Sequence, residues 1–287
     1  MTGREMPFYE FRPGVYEIDE FCCVSMFLIV GEEKALLIDT GVGIGDVRQV
    51  IRRITDKELI VAASHNHLDH IGGAFRFEKI YMHPDDIDED RLKEASNLND
   101  RISYAKFITN REGKYFPYDP DTDIEEWNSM PEFVPMEDGH VFDLGGRTVQ
   151  VFHCPGHTPG EVVFLDEKTK TLICGDAINC NWYLSQDPLG TDQERLMQAS
   201  EGLKRILAMA DRYDYVINSH HDYRGYGNPL KDDVPGNLSG CLEELVNGTA
   251  QFKEVKDPMS KTGGTRTVAY KGNVEVSLAT PSLSDDF

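Results

Sequence analysis

The sequence is poor in positive charge and contains no long apolar run. Lys and Arg together number 29 against 50 Asp and Glu, which gives a formal net charge of −21. We therefore expect no nucleic-acid partner, because binding a phosphate backbone requires clustered basic side chains. No run reaches the roughly 18 apolar residues of a membrane-spanning helix, so we expect no membrane partner either.

Cysteine is scarce and irregularly spaced. The six Cys residues form no C-x-x-C pair and no regular framework, so a disulfide scaffold is not indicated. Residues 1–13 mix charge with proline and lack the basic-then-apolar order of a signal peptide. Together these features predict a cytoplasmic protein with reduced thiols, and they leave the oligomeric state open.

One short segment concentrates metal-binding chemistry. Residues 64–73 read Ser-His-Asn-His-Leu-Asp-His-Ile-Gly-Gly, with three of the nine His residues and one Asp within six positions. The apolar run before it predicts a strand, so His65 and His67 face one side of an extended chain. The glycines allow Asp69 and His70 to approach the same point. Imidazole and carboxylate bind zinc and its first-row neighbours, so the segment predicts a metal site.

Strand and helix patterns alternate along the chain. Apolar runs and turn residues predict strands at 15–18, 22–30, 35–38, 59–63, 79–83, 141–144, 147–153, 162–165, 171–174 and 215–218. Helical spacing occurs at 43–55 and 191–210. This alternation favours an α/β layered fold.

Two regions fall outside this alternation. Residues 84–135, the inserted segment, begin acidic and helical and then become rich in Tyr, Pro and Asp. A long stretch without clear strands inside a compact domain is typical of a functional loop or a lid. A surface elaboration without a binding role is the alternative. Residues 240–247 predict a short helix and 265–278 a hairpin. We therefore expect a single domain over 1–287, with the lid-like insertion and a C-terminal helix and hairpin at about 240–278.

Three further polar residues follow predicted strands, which is where α/β proteins build their sites. His157 lies in the turn-rich sequence Cys-Pro-Gly-His-Thr-Pro-Gly, and Asp176 ends the sequence Cys-Gly-Asp. His220 closely follows the strand predicted at 215–218. Each residue is a weak signal alone, because a lone histidine is more often a hydrogen-bonded structural residue than a ligand.

Taken together, these residues resemble the metallo-β-lactamase superfamily of hydrolases. The matching marks run in the family's order and span about residues 15–225: Asp39-Thr40-Gly41, His65-x-His67-x-Asp69-His70, His157-Thr158-Pro159-Gly160, Gly175-Asp176 and His220-His221. The resemblance implies a four-layer αβ/βα sandwich with two metal ions in a cleft at the edge of its sheets.

The resemblance also implies a set of ligands. By position, the first ion would be held by His65, His67 and His157, and the second by Asp69, His70 and His220, with Asp176 bridging both. The family commonly has Gly-His where this chain has Ser-His-His, so the last ligand stays open. His220 lies closer to the strand end, and His221 is the alternative. Asp39 would support ligands without touching substrate, and His83, His140 and His153, which match no mark, are expected to be structural.

The implied chemistry is hydrolysis. Two divalent ions, zinc with iron or manganese as alternatives, would make hydroxide available near neutral pH. That metal-bridged hydroxide would attack an ester, thioester, lactone, amide or phosphodiester of a small molecule, with Asp69 orienting the nucleophile or accepting its proton. The alternative is a mononuclear iron-dependent persulfide dioxygenase-like oxidoreductase on the same fold. A non-catalytic binding protein is disfavoured because no expected ligand is missing.

Overall fold

A computed structural model describes residues 5–112, 116–184, 192–221, 224–257 and 264–278. Its first sheet has seven strands that follow one another in chain order. They are β1 (Phe8–Arg12), β2 (Val15–Asp19), β3 (Ser25–Val30), β4 (Lys34–Ile38), β5 (Glu58–Ala62), β6 (Lys79–Met82) and β7 (Glu132–Pro135). The first four form an antiparallel meander, and β4 to β7 pair in parallel.

The second sheet has five strands in the order β13-β11-β10-β9-β8. They are β8 (Val141–Asp143), β9 (Thr148–His153), β10 (Val162–Asp166), β11 (Thr171–Ile173) and β13 (Tyr215–Ile217). A smaller sheet of four strands has the order β12-β16-β15-β14. It contains β12 (Asn181–Tyr183), β14 (Gln251–Lys256), β15 (Thr265–Lys271) and β16 (Val274–Ser277).

The described residues contain seven α-helices. They are α1 (Val47–Ile54), α2 (Leu68–Ile71), α3 (Glu89–Ser96), α4 (Leu98–Glu112), α5 (Pro120–Asp123), α6 (Asp192–Leu207) and α7 (Asp233–Val246). In α1, the Asp46 side chain caps the first turn and Arg52 and Arg53 lie in the last, as the helix dipole favours. Within the described ranges, no helix has both the length and the apolarity to cross a membrane.

The two large sheets face each other. Phe27 of β3 and Leu36 of β4 share one fully buried cluster with Val151 of β9 and Phe164 of β10. Alternate residues of β3, such as Leu28, enter a second cluster with α1, α3 and α4 on the outer face of the first sheet. A third cluster packs α6, α7 and the small sheet against the outer face of the second. These layers are helix, sheet, sheet and helix, so the predicted αβ/βα sandwich is confirmed.

The structure adds elements that the sequence patterns did not predict. β1, β7 and β14 were missed because they lie at sheet edges and expose most of their side chains. The predicted C-terminal helix ends as expected but begins earlier, at Asp233. Pro235 falls in its first turn, where the missing N–H has no helical partner to lose. The hairpin after it is confirmed, and Thr191 of the predicted long helix lies outside the described residues.

The inserted segment is packed into the protein core. Leu92, Ala105, Ile108 and Ile124 from this segment belong to the cluster on the outer face of the first sheet. Arg101 on α4 is fully buried. Its guanidinium donates to the backbone carbonyl oxygens of Val42, Gly72 and Glu125. These contacts hold α3 and α4 against the body of the fold.

Candidate metal centre

The histidine-rich motif begins where β5 ends, at the edge of the first sheet. The chain stays extended through His65 to His67, which is the N-cap of α2 with φ −71° and ψ 153°. His65 and His67 therefore point to the same side. The single turn of α2 then carries Asp69 and His70 back towards them.

Three imidazoles form the first group of donor atoms. Nε2 of His65 and Nε2 of His157 each lie 3.0 Å from Nδ1 of His67. His157 comes from the loop between β9 and β10, and its Nδ1 donates to the carbonyl oxygen of Tyr183 at 3.1 Å. That bond fixes the ring tautomer that leaves Nε2 with a lone pair for a metal.

A second group consists of Asp69, His70 and His220. Nε2 of His220 and Nε2 of His70 lie 3.5 Å and 3.7 Å from Oδ2 of Asp69. Asp176 stands between the groups, with Oδ2 3.6 Å from Nε2 of His157 and 3.1 Å from Nε2 of His220. The structure therefore brings together all seven residues named from the sequence.

The donor atoms include two that other protein groups leave unsatisfied. Nε2 of His70 and Oδ1 of Asp176 are buried and have no hydrogen-bond partner among the described residues. An unsatisfied buried polar atom costs about 1–3 kcal/mol, and a bound cation would remove that cost at both. Imidazole nitrogens and carboxylate oxygens are the ligands that zinc, iron and manganese accept. The residues present therefore fit divalent metal ions.

The protonation equilibria agree with this fit. Burial, followed by the neighbouring imidazoles, lowers the pKa of His65 and His67 well below the ordinary value, which favours the neutral form that binds metals. Burial would also lower the pKa of His70, but the carboxylates of Asp69 and Asp39 outweigh it and raise that pKa to about 10. The carboxylates thus require a positive charge at this position, which a proton or a metal ion supplies.

A buried carboxylate, Asp39, lies behind the histidine-rich motif and supports it. Asp39 follows β4 with a left-handed φ of 66° and is fully buried. Oδ2 accepts a hydrogen bond from Nδ1 of His70 at 2.9 Å and from the hydroxyl of Ser64, while Oδ1 accepts from the Ser64 N–H. The bond to the ring turns Nε2 of His70 towards the donor cluster. This is the supporting role predicted for Asp39.

A second buried carboxylate, which was not predicted from the sequence, supports the loop that carries Asp176. Glu161 lies just before β10, and its Oε1 accepts from the backbone N–H groups of Asp176 and Ala177 at 2.9 Å and 3.1 Å. The same oxygen is 3.5 Å from Nδ1 of His65. Burial, and then the charge of Asp176, raises the pKa of Glu161 well above its ordinary value. An acid directly before the apolar run of residues 162–165 was the available signal.

Asp86 is a third carboxylate that the sequence analysis missed. It is fully buried, and its two oxygens accept from the hydroxyl of Thr158 and the backbone N–H of Gly160, both at 2.7 Å. These bonds close the loop that carries His157. Asp86 stands in a run of acidic residues, so its sequence context does not distinguish it from its exposed neighbours.

The inserted segment contributes a hydroxyl to the site. Tyr104 on α4 donates to Oδ2 of Asp69 at 2.9 Å, and its oxygen also lies 3.1 Å from the carbonyl oxygen of Cys23. The insertion therefore contacts Asp69, the residue predicted from the sequence to act in catalysis.

The remaining histidines have other partners. Nε2 of His221 lies 3.1 Å from Oδ1 of Asp19, whereas Nε2 of its neighbour His220 faces Asp176. His83 and His153 stack on each other with ring centroids 4.0 Å apart. Of the two alternatives for the last ligand, His220 is the one that reaches the candidate centre.

The chain matches the model of the metallo-beta-lactamase superfamily over residues 20–182, more than half of its length. It therefore belongs to the metallo-beta-lactamase superfamily.

Two curated relatives have names that describe hydrolases. Acyl-coenzyme A thioesterase MBLAC2 of Homo sapiens is 26% identical over 168 residues, which cover 54% of this chain and 58% of that protein. The match thus leaves more than a third of the human protein uncovered. Hydroxyacylglutathione hydrolase GloC of Haemophilus influenzae is 25% identical over 205 residues, covering 70% of this chain and 87% of that protein.

The fold is also shared with solved structures. A beta-lactamase domain protein from Burkholderia ambifaria superposes with a TM-score of 0.56 and 21% identity, covering 89% of this chain and 82% of that chain. A likeness at this identity concerns the fold alone.

Proposed function

We propose that the chain is a binuclear metal-dependent hydrolase that cleaves thioesters of small molecules. The observation that carries the proposal is the convergence of seven imidazole and carboxylate side chains around two unsatisfied buried atoms, Nε2 of His70 and Oδ1 of Asp176. Among the bonds expected from the sequence, the names of the acyl-coenzyme A thioesterase and the hydroxyacylglutathione hydrolase favour the thioester.

We assign the ligands by their groups. The three imidazoles of His65, His67 and His157 would hold one ion, and Asp69, His70 and His220 would hold the other. Asp176 would serve both, since its Oδ2 lies near a ring of each group. Zinc is the preferred metal for this nitrogen-rich set, with iron and manganese as alternatives.

The bound ions would supply a water of lowered pKa and polarise the scissile carbonyl group. Asp69 orients the attacking water and accepts its proton. The Tyr104 hydroxyl holds the Asp69 carboxylate through its 2.9 Å bond to Oδ2. Asp39 keeps His70 in position through Nδ1, and Glu161 fixes the backbone of Asp176.

The proposal extends to the organisation of the chain. We propose a single domain over 1–287 in which the inserted segment borders the substrate, because α4 places Tyr104 against Asp69. The C-terminal helix and hairpin pack on the second sheet. The cytoplasmic location and the lack of a nucleic-acid partner remain predictions from the sequence.

A substrate panel tests the proposed activity. The zinc-loaded protein is assayed with acyl-coenzyme A, an S-acylated glutathione, an oxygen ester, a lactone and a phosphodiester. A thiol reagent measures the thiol released from the two thioesters, and acid release at constant pH measures hydrolysis of all five compounds on one scale. We expect the thioesters to be hydrolysed at least about tenfold faster than the other compounds. Faster hydrolysis of any other compound would overturn the thioester assignment.

Metal analysis separates hydrolysis from the oxidoreductase alternative. The protein is purified without added metal, and zinc, iron and manganese are counted per chain. Two divalent ions per chain, counted without any ion bound through a cysteine thiolate, support the binuclear site. A single iron, together with oxygen uptake on a persulfide, would replace hydrolysis with the dioxygenase-like reaction.

A further inference from the structure

A second cluster of metal-binding side chains lies apart from the seven candidate ligands. It consists of Asp19 at the end of β2, Cys22 in the turn that follows, and His221 after β13. One ligand atom from each residue lies within 4.8 Å of the other two. Asp19 is buried, and Cys22 and His221 are half-buried.

Hydrogen bonds organise the cluster around one oxygen. Oδ1 of Asp19 accepts from the backbone N–H of Cys22 at 2.7 Å and lies 3.1 Å from Nε2 of His221. The carboxylate therefore holds both the turn that carries the thiol and the imidazole ring. This arrangement joins the first sheet to the end of the second.

The turn has a strained backbone. Phe21 and Cys22 both have left-handed φ values, 54° and 66°, although neither residue is glycine. Such residues cost of order 1 kcal/mol each and persist only where the surrounding structure enforces them. Here the strained turn brings Cys22 back towards the carboxylate of Asp19. The backbone N–H of Cys22 donates a hydrogen bond to Oδ1 of that carboxylate.

We propose that Asp19, Cys22 and His221 form a separate mononuclear site for a thiophilic divalent cation of the zinc class. Thiolate, imidazole and carboxylate are the three ligand types of protein zinc sites, and three protein ligands leave a fourth position for water. Donor atoms around a tetrahedral zinc ion lie about 3.5 Å apart. Here the three donor atoms lie within 4.8 Å of one another, and Oδ1 of Asp19 is 3.1 Å from Nε2 of His221. Binding releases the thiol proton to solvent and requires an unprotonated Nε2 on His221.

The site is chemically distinct from the candidate binuclear centre. All seven ligands assigned there are His or Asp, so that centre contains no sulfur. His220 and His221 are adjacent in sequence, but their Nε2 atoms have different partners, Asp176 and Asp19. Among the candidate metal-binding groups of the described residues, the one at Cys22 is the only one that includes a sulfur ligand. A signal from a metal–sulfur bond therefore distinguishes it from the binuclear centre.

Cobalt substitution provides this signal. The full-length protein is loaded with Co²⁺, and its near-ultraviolet spectrum is examined for thiolate-to-cobalt charge transfer, with bound cobalt counted per chain. We expect the band in the unmodified protein. Cys22→Ser should remove the band and lower the bound metal by one ion per chain. Cys180→Ser is the matched control, because Cys180 is also half-buried and belongs to none of the metal-binding groups found in the described residues.

A second variant guards against misfolding of the first. His221→Gln keeps the thiol and its backbone, so it should lose the band while a thiol reagent still titrates Cys22. The absence of the band from the unmodified protein, its persistence in Cys22→Ser, or its loss in Cys180→Ser would each overturn the proposal. These outcomes are independent of the proposed hydrolase, since thioester turnover by a protein without the band would leave that function intact.

Discussion

The two halves of the candidate metal centre are built in different ways. The first half takes four side chains, His65, His67, Asp69 and His70, from six consecutive positions at the end of β5. The second half takes three side chains from three loops of the second sheet, far apart in the chain. The geometry of the first half is set by one short segment, an extended stretch followed by the single turn of α2. The geometry of the second half is set by how the loops of the second sheet come together.

The supporting carboxylates differ in the same way. Asp39 accepts from the imidazole ring of His70, so it acts on the orientation of a ligand. Glu161 accepts from the backbone N–H of Asp176, so it acts on the path of a loop. The carboxylate behind the compact motif thus bonds to a ligand ring, whereas the one behind the dispersed ligands bonds to the backbone N–H groups of a loop.

The largest expected effect is the loss of activity on replacing Asp69. Asp69→Ala removes a candidate ligand and the candidate proton acceptor together, so we expect kcat/KM to fall by roughly 10³-fold or more. Asp90→Ala is the matched control, since Asp90 is an exposed acid on α3. Steady-state kinetics on the best thioester provide the measurement. Retention of more than a tenth of the activity would refute the role assigned to Asp69.

A matched pair of amides tests the two supporting carboxylates. Both carboxylate oxygens of Asp39 accept hydrogen bonds. In Asp39→Asn, the amide NH₂ group therefore faces a hydrogen-bond donor and loses at least one of these bonds. In Glu161→Gln, Oε1 can stay an acceptor because Oε2 has no hydrogen-bond partner among the described residues. We expect metal affinity to fall about 10–100-fold for the first variant and much less for the second.

Chelator competition, read as the metal Kd, measures both effects. Equal losses in Asp39→Asn and Glu161→Gln would remove the distinction between ring support and loop support.

The stacked rings of His83 and His153 test the contact between the two large sheets. His83 follows β6 of the first sheet, and His153 ends β9 of the second. Burial, and then the neighbouring His153, lowers the pKa of His83 from 6.5 to about 4. The unfolded chain therefore binds more protons between these values, and the free energy of unfolding should fall by about 2 kcal/mol as the pH drops from 6.5 to 4.

His83→Asn should flatten that dependence, because Asn retains the N-cap role of His83 but does not titrate. Urea unfolding at several pH values provides the measurement. If the free energy of unfolding depended on pH in the same way in both proteins, the stacked pair would not contribute to the pH dependence of stability.

The smallest effect is expected at Tyr104. Tyr104→Phe removes one hydrogen bond to Asp69, so kcat should fall about 3–10-fold, the equivalent of about 1 kcal/mol. Bound metal per chain should stay unchanged, because Tyr104 is not among the candidate ligands. A loss of metal in this variant would mean that the inserted segment supports binding of the ions instead of the reaction.

The sequence alone determined the features that depend on local patterns. The interior strands β3, β4 and β10 follow from apolar runs, since a strand covered on both faces is buried along most of its length. The hairpin at Lys271 to Val274 and most of α1 also follow from turn residues and spacing. The first half of the candidate site belongs to the same category, because its four residues lie within six consecutive positions.

The tertiary structure decided what depends on the approach of distant segments. The edge strands β7 and β14 form because a neighbouring strand supplies their hydrogen bonds, and their own apolar content is low. Glu161 and Asp86 become supports of the site only when two loops close around them. The directions of His220 and His221 are set by the sheets packed on either side, because two adjacent imidazoles have the same local chemistry and differ only in what surrounds them.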